Sequence, residues 1–146
     1  MPRYDADALV REAEWRKCAA DIVYWTNNYV YVVALDQGGR VLMDTSDRPY
    51  QVEGLTMLAD PSQRRIITLK SRQVGFSSYT QGKLIHECTL QERVEAMVVA
   101  HDRNTGEKLY QMGERIYSNL PDDPELKPKH GRHRRSKFLH FAGDGL

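Results

Sequence analysis

The sequence predicts an α/β fold built on a parallel sheet, and two observations predict it. Between residues 64 and 117 the patterns alternate strand, helix, strand, helix. Parallel strands joined by right-handed crossover helices are the packing that this order favours. The second observation is "VEAMVVA" (94–100), a near-continuous apolar run of the kind that suits a strand buried on both faces. Size and composition agree. The 146 residues, 40% hydrophobic and 28% charged, suffice for one soluble globular domain with a real core.

Each element has its own signal. Over residues 5–26, Trp15, Cys18, Ala19, Ile22 and Trp25 recur near helical spacing and line one face of an N-terminal helix. "YVYVVAL" (29–35) and "RVLM" (40–43) read as strands on either side of the turn "DQGG" (36–39), giving a β-hairpin. Pro49 opens a helix over 49–59 whose apolar positions are Val52, Leu55, Met57 and Leu58. "RRIITL" (64–69) is a strand, 70–76 a loop, and a polar helix runs from Ser77 to about Glu87. The strand 94–100 precedes a helix from about Asn104 to Tyr117. A long polar connection covers 119–137, and "FLHF" (138–141) is a short strand. A sheet with so few strands leaves an edge uncovered, so the chain is expected to be the front part of a larger domain.

Charge is unevenly spread. Net charge is +1, but residues 127–146 hold six basic residues against the single acid Asp144, leaving 15 bases and 19 acids in the remainder. The basic segment "KPKHGRHRRSK" (127–137) suits DNA phosphates as well as it suits plain solvation. No aromatic residue interleaves there, which argues against base stacking. No apolar run approaches the ~18 residues of a membrane span, and the charged N-terminus has no apolar signal core. Cys18 and Cys88 lack metal-ligand spacing and read as small core residues in a reducing compartment. His86, His101, His130, His133 and His140 show no ligand spacing either, although His101-Asp102 lies at an expected strand end.

The loop after the first core strand carries the chemistry. In "ITLKSRQVGFSSYTQGK" (67–83) a strand leads through a glycine turn into a helix at the sheet edge where open α/β folds bind ligands. Free N–H groups and the positive end of the helix dipole favour an anion there. Against the phosphate-loop signature G-x-x-x-x-G-K-[ST], Gly75 fits the second glycine and Ser77 the magnesium-binding hydroxyl. Lys70 stands at the first glycine position and Phe76 at the lysine position. A lysine is a mobile point charge on a four-carbon stem, so Lys70 at the start of the loop can curl back to the same phosphates. Arg72 is a second cation.

"LKSRQVGFSS" resembles the Walker A loop of the large subunit of tailed-phage terminases, the DNA-packaging motors. Lys70, Gly75, Phe76 and Ser77 are similar to the deviant loop of the lambda-like members, with lysine first and an aromatic after the glycine. "RPYQ" (48–51) resembles the family's adenine-recognition motif, and "MVVAHDRNTGEKLY" (97–110) its second core strand and following helix. The resemblance covers roughly residues 45–118.

It implies a P-loop NTPase core with a parallel sheet, incomplete here and preceded by the N-terminal helix and hairpin. In that division 1–47 is helix and hairpin, 48–118 the nucleotide-binding core, and 119–146 a basic connection and the start of the next strand. The implied ligands are ATP and Mg²⁺. Ser77 would ligate Mg²⁺ and Gln51 would read adenine, with Tyr50 beside the base. Lys70 and the backbone of Ser71, Arg72, Gln73, Val74, Gly75 and Phe76 would hold the phosphates, with Ser78 following. Arg72 would reach the γ-phosphate in the manner of an arginine finger. The implied partners are double-stranded DNA, the terminase small subunit and the portal protein of the procapsid, around a homo-oligomeric ring in the host cytoplasm, with no membrane. The family's Walker B strand ending in Asp-Glu and its nuclease carboxylates have no counterpart in the 146 residues. A helicase-like ATPase and a non-catalytic nucleic-acid-binding module are the alternatives.

Overall fold

The helix expected over 5–26 is two helices. In the computed structural model, which describes residues 6–34, 39–71, 75–123, 126–128, 130–132 and 139–141, α1 spans Ala6–Ala20 and α2 spans Ile22–Tyr29. Asp21 makes the corner. Its backbone is extended, and its carboxylate accepts from the N–H groups of Val23 (2.9 Å) and Tyr24 (3.0 Å). A short acid that satisfies the N–H groups ahead of it starts a new helix rather than continuing the old one. The apolar face survives the corner: Cys18, Ile22 and Trp25 are buried, with Trp15 and Ala19 packed against them.

The hairpin forms where the pattern places it. β1 (Tyr31–Ala34) pairs antiparallel with β2 (Gly39–Leu42), Tyr31 opposite Leu42 and Ala34 opposite Gly39. The ladder starts two residues later than residue 29 because α2 runs on to Tyr29, and the N–H of its C-cap, Val30, bonds the Thr26 carbonyl. Residues 35–38, which hold most of the expected turn, lie outside the described residues. α3 is Pro49–Ala59 with proline at its first position, as expected. Leu55 is buried and Leu58 partly so, whereas Met57 is exposed.

α4 (Phe76–Leu90) is the hub. It touches α1, α2 and α3 and also α5 (Arg103–Ser118). Tyr79, Gln81, Gly82, Ile85, His86 and Leu90 are all buried, so the helix is covered on more than one side. Gly113 of α5 allows close approach: a Cβ there would lie 3.1 Å from Gln81 Oε1. The core around Trp25, Val30, Leu55 and Ile116 fills the space between these helices and the hairpin.

The parallel sheet is where structure and expectation part. The chain is α/β, with five helices and antiparallel strand pairs among the described residues, but residues 64–69 and 94–100 form no strand. Ile67 (99%), Leu69 (101%), Met97 (83%) and Val99 (81%) stand in solvent. A strand exists only through a neighbour that takes its N–H and C=O groups, and no described segment supplies one to either stretch. The apolar composition reports a demand for burial that the surrounding residues leave unmet. A smaller difference lies in the polar connection, where β3 (His130–Arg132) pairs antiparallel with β4 (Leu139–Phe141). His-Gly-Arg has no strand pattern of its own and is a strand only through its partner.

Candidate functional site

The N-terminal ends of α3 and α4 meet, and the meeting point is Gly75. Its φ of +75° lies in the left-handed region that favours glycine. From there its carbonyl accepts from the N–H groups of Ser78 (3.0 Å) and Tyr79 (3.1 Å) and opens α4, with no side-chain cap. Gln51, from the first turn of α3, is fully buried and reaches this glycine. A Cβ on Gly75 would lie 2.7 Å from Gln51 Nε2. The two residues that the sequence singles out 24 positions apart are thus in contact distance across one helix–helix junction.

Lys70 lies near the first residue of α4. Its Nζ lies 5.9 Å from the centre of the Phe76 ring and 3.4 Å from the Ser71 carbonyl oxygen. Phe76 is half-buried and packs edge-to-face on Tyr79, with centroids 4.9 Å apart at 72°. Tyr79 is 5% exposed, and burial, with a smaller contribution from Tyr50, pushes its phenol above the usual range. Gly54 lets α3 approach this tyrosine: a Cβ there would stand 3.0 Å from Tyr79 Oη.

Of the remaining expected residues, Ser71 and Ser77 are exposed and Ser78 is half-buried. Tyr50 is half in solvent beside the junction. Arg72, Gln73 and Val74 lie outside the described residues. Tyr79 and Gly54 were not legible as site residues. Their only signal was spacing, three residues after Phe76 and three after Gln51.

The chemistry available is that of an anion cradle. A helix start with no side-chain cap, a left-handed glycine and a primary ammonium group converge, and each favours negative charge. The donor set fits a phosphate chain. For a magnesium ion the fit is one hydroxyl, Ser77, in the first turn of α4, which suits an ion that takes most of its ligands from phosphate and water. No cluster of three or more His, Cys, Asp or Glu side chains suited to a metal occurs among the described residues.

A cavity of about 660 Å³ lies elsewhere, toward the far end of α4, lined among others by Ile22, Met57, His86 and Glu87. None of Gln51, Lys70, Gly75 or Phe76 lines it. Its walls also carry Asp21, Glu53 and Asp60, and its lysine, Lys83, is paired with Glu87 at 2.5 Å. Such a wall repels phosphate.

The other flagged residues have structural partners. Asp102 caps α5, accepting from Thr105 N (2.8 Å) and Thr105 Oγ1 (2.7 Å), and these bonds hold its carboxyl below the usual range. His101 Nε2 stands 2.7 Å from Asp102 Oδ2. In the basic segment, Lys127 is held by Asp122 (2.8 Å). Lys129, Arg134, Arg135 and Lys137 lie outside the described residues. Cys18 is buried and Cys88 half-buried, and neither is in a disulfide. Burial pushes the Cys18 thiol up to about 12. No described helix is long and apolar enough to cross a membrane. Comparisons with protein-family models and with curated proteins return no match to this chain.

Proposed function

We propose that the chain is the nucleotide-gripping part of a P-loop ATPase of the terminase large-subunit type. The observation that carries this reading is the convergence of Gln51 and Lys70 on Gly75 and Phe76 at the start of α4. Lys70 would neutralise phosphate charge, backbone N–H groups at the start of α4 would face the phosphates, and Ser77 would give Mg²⁺ one hydroxyl. Bound MgATP would supply the γ-phosphoryl group, and Arg72 would face it. Gln51, buried against Gly75, would read the adenine edge if the α3–α4 junction opens to admit the base. In the finer fold that goes with this reading, residues 64–69 and 94–100 would become strands of a parallel sheet once a neighbouring segment pairs with their backbone. In the complete motor, hydrolysis would drive double-stranded DNA into a procapsid, with the small subunit and portal as partners and a ring of identical subunits around the DNA.

Phosphoryl transfer depends on positioning and charge stabilisation, including a carboxylate that orients water. No apolar run closing in Asp-Glu occurs in the 146 residues, so this chain binds ATP better than it cleaves it. A helicase-like ATPase shares a glutamine ahead of the loop and differs in the motifs downstream. A nucleic-acid-binding module acting through 127–137 predicts salt-sensitive DNA binding that ignores ATP.

Displacement of a fluorescent ATP analogue tests the reading. Unlabelled MgATP should displace it better than MgGTP, and Gln51→Ala should narrow that preference. A folded chain that never takes up the analogue, or that binds both nucleotides alike with Gln51 intact, refutes the assignment of ATP.

A further inference from the structure

We propose that the Phe76 ring positions the Lys70 ammonium for the phosphates. The aromatic residue that stands where such loops ordinarily carry lysine is, on this account, a positioning residue. The inference rests on the nucleotide reading above and adds a role that the loop pattern does not contain.

Three observations carry it. Lys70 Nζ lies 5.9 Å from the ring centre, within the reach of a cation–π contact. The ring is itself fixed, edge-to-face on Tyr79, and Tyr79 is wedged against Gly54 in the α3–α4 junction. Among the described residues no carboxylate pairs with Lys70. The third point distinguishes this arrangement from an ion pair. A carboxylate partner would neutralise the lysine and compete with phosphate, whereas the ring face attracts the ammonium and leaves its full charge available. A free lysine side chain samples many rotamers, and holding it over the first residue of α4 removes part of the ordering cost of binding an anion there.

The sequence order follows from the same geometry. Moving the lysine from the position after Gly75 to the start of the loop places it on a longer tether. The residue that replaces it then serves as the rest for its ammonium. An aliphatic residue at 76 would fill the same space against Tyr79 without attracting the charge.

A graded series of fluorinated phenylalanines at position 76 tests this, because fluorine drains the negative ring face with little change of shape. MgATP affinity of the full chain is measured by calorimetry with zero, one, two and three fluorines, in the native and Lys70→Gln backgrounds. Thermal midpoints confirm that packing is kept. The expected result is stepwise weakening to about two- to fivefold at three fluorines, with a flat series when Lys70 is glutamine. Acylation of Lys70 in the nucleotide-free chain, read by peptide mass spectrometry, should speed up along the same series as the ammonium loses its rest. A flat series in the native background, or an equal slope in the Lys70→Gln background, overturns the positioning role while leaving the nucleotide site standing. Failure of the unfluorinated chain to bind MgATP removes both, whatever the acylation rates.

Discussion

Two single residues set the energetics of the α3–α4 junction and its surroundings. At Gly75 an added Cβ meets both a left-handed φ of +75° and the Gln51 amide 2.7 Å away. Gly75→Ala is therefore expected to destabilise the fold by about 1–3 kcal/mol and to weaken nucleotide binding together with it. Chemical denaturation and calorimetry on the same preparation check both effects, and an unchanged midpoint would mean that the loop tolerates another path. At His86 the governing effect is burial. The imidazole is 4% exposed and edge-on to Trp25 at 5.1 Å, and its Nε2–H donates to the Cys18 carbonyl at 2.7 Å. Desolvation holds its pKa below the ordinary 6.5, against smaller opposing effects from that bond and from Glu87 and Asp21. The unfolded chain then binds a proton that the folded chain refuses, so stability is whole above about pH 6.5 and falls as pH drops below it. Denaturation midpoints at pH 7.5 and 5.5 should differ in the native chain and differ less in His86→Gln. An equal pH effect in both would place the titrating group elsewhere.

At the scale of elements, what was legible followed from local chemistry. Pro49 at a helix start, the alternation of 31–42 and the glycine before a polar helix each announce an element by themselves, and each is found. The α1–α2 corner was not legible, because the apolar face of Trp15, Cys18, Ile22 and Trp25 continues across it while a capping carboxylate at Asp21 divides the helix. Asp21→Ala should cost about 1 kcal/mol in a denaturation experiment. The corner is not expected to open altogether, since Glu14 of α1 accepts hydrogen bonds from Tyr29 (2.5 Å) and Tyr24 (2.9 Å) of α2. A loss several times larger would show that the cap alone holds the corner. Strand pairing was the least legible feature. "RRIITL" and "VEAMVVA" carry the composition of buried strands, yet pairing depends on distant backbone and cannot be read from the stretch itself. In the candidate site, the resemblance marked Gln51 and the glycine loop, and the structure brings Gln51 against Gly75. The supporting contact of Tyr79 on Phe76 and Gly54 depends on how two helices cross.

For the whole molecule, the exposed apolar side chains of 64–69 and 94–100 lie outside the core. Side chains already in solvent contribute little to stability, so Ile67→Thr with Val99→Thr should leave the denaturation midpoint within about 0.5 kcal/mol. Self-association, read by sedimentation, should fall in the same variant because contiguous exposed apolar residues promote contact between copies. A clear loss of stability would mean that these residues are buried in solution. The central claim remains that Lys70, displaced from its usual place in the loop, is the cation that holds the phosphates at Gly75 and α4. Titration calorimetry of MgATP into the native chain and into Lys70→Ala tests it most directly. Removing a charged donor from an anion is expected to weaken binding roughly 10- to 100-fold, with both proteins equally folded. Equal affinity in the two proteins would take Lys70 out of the site and contradict the account.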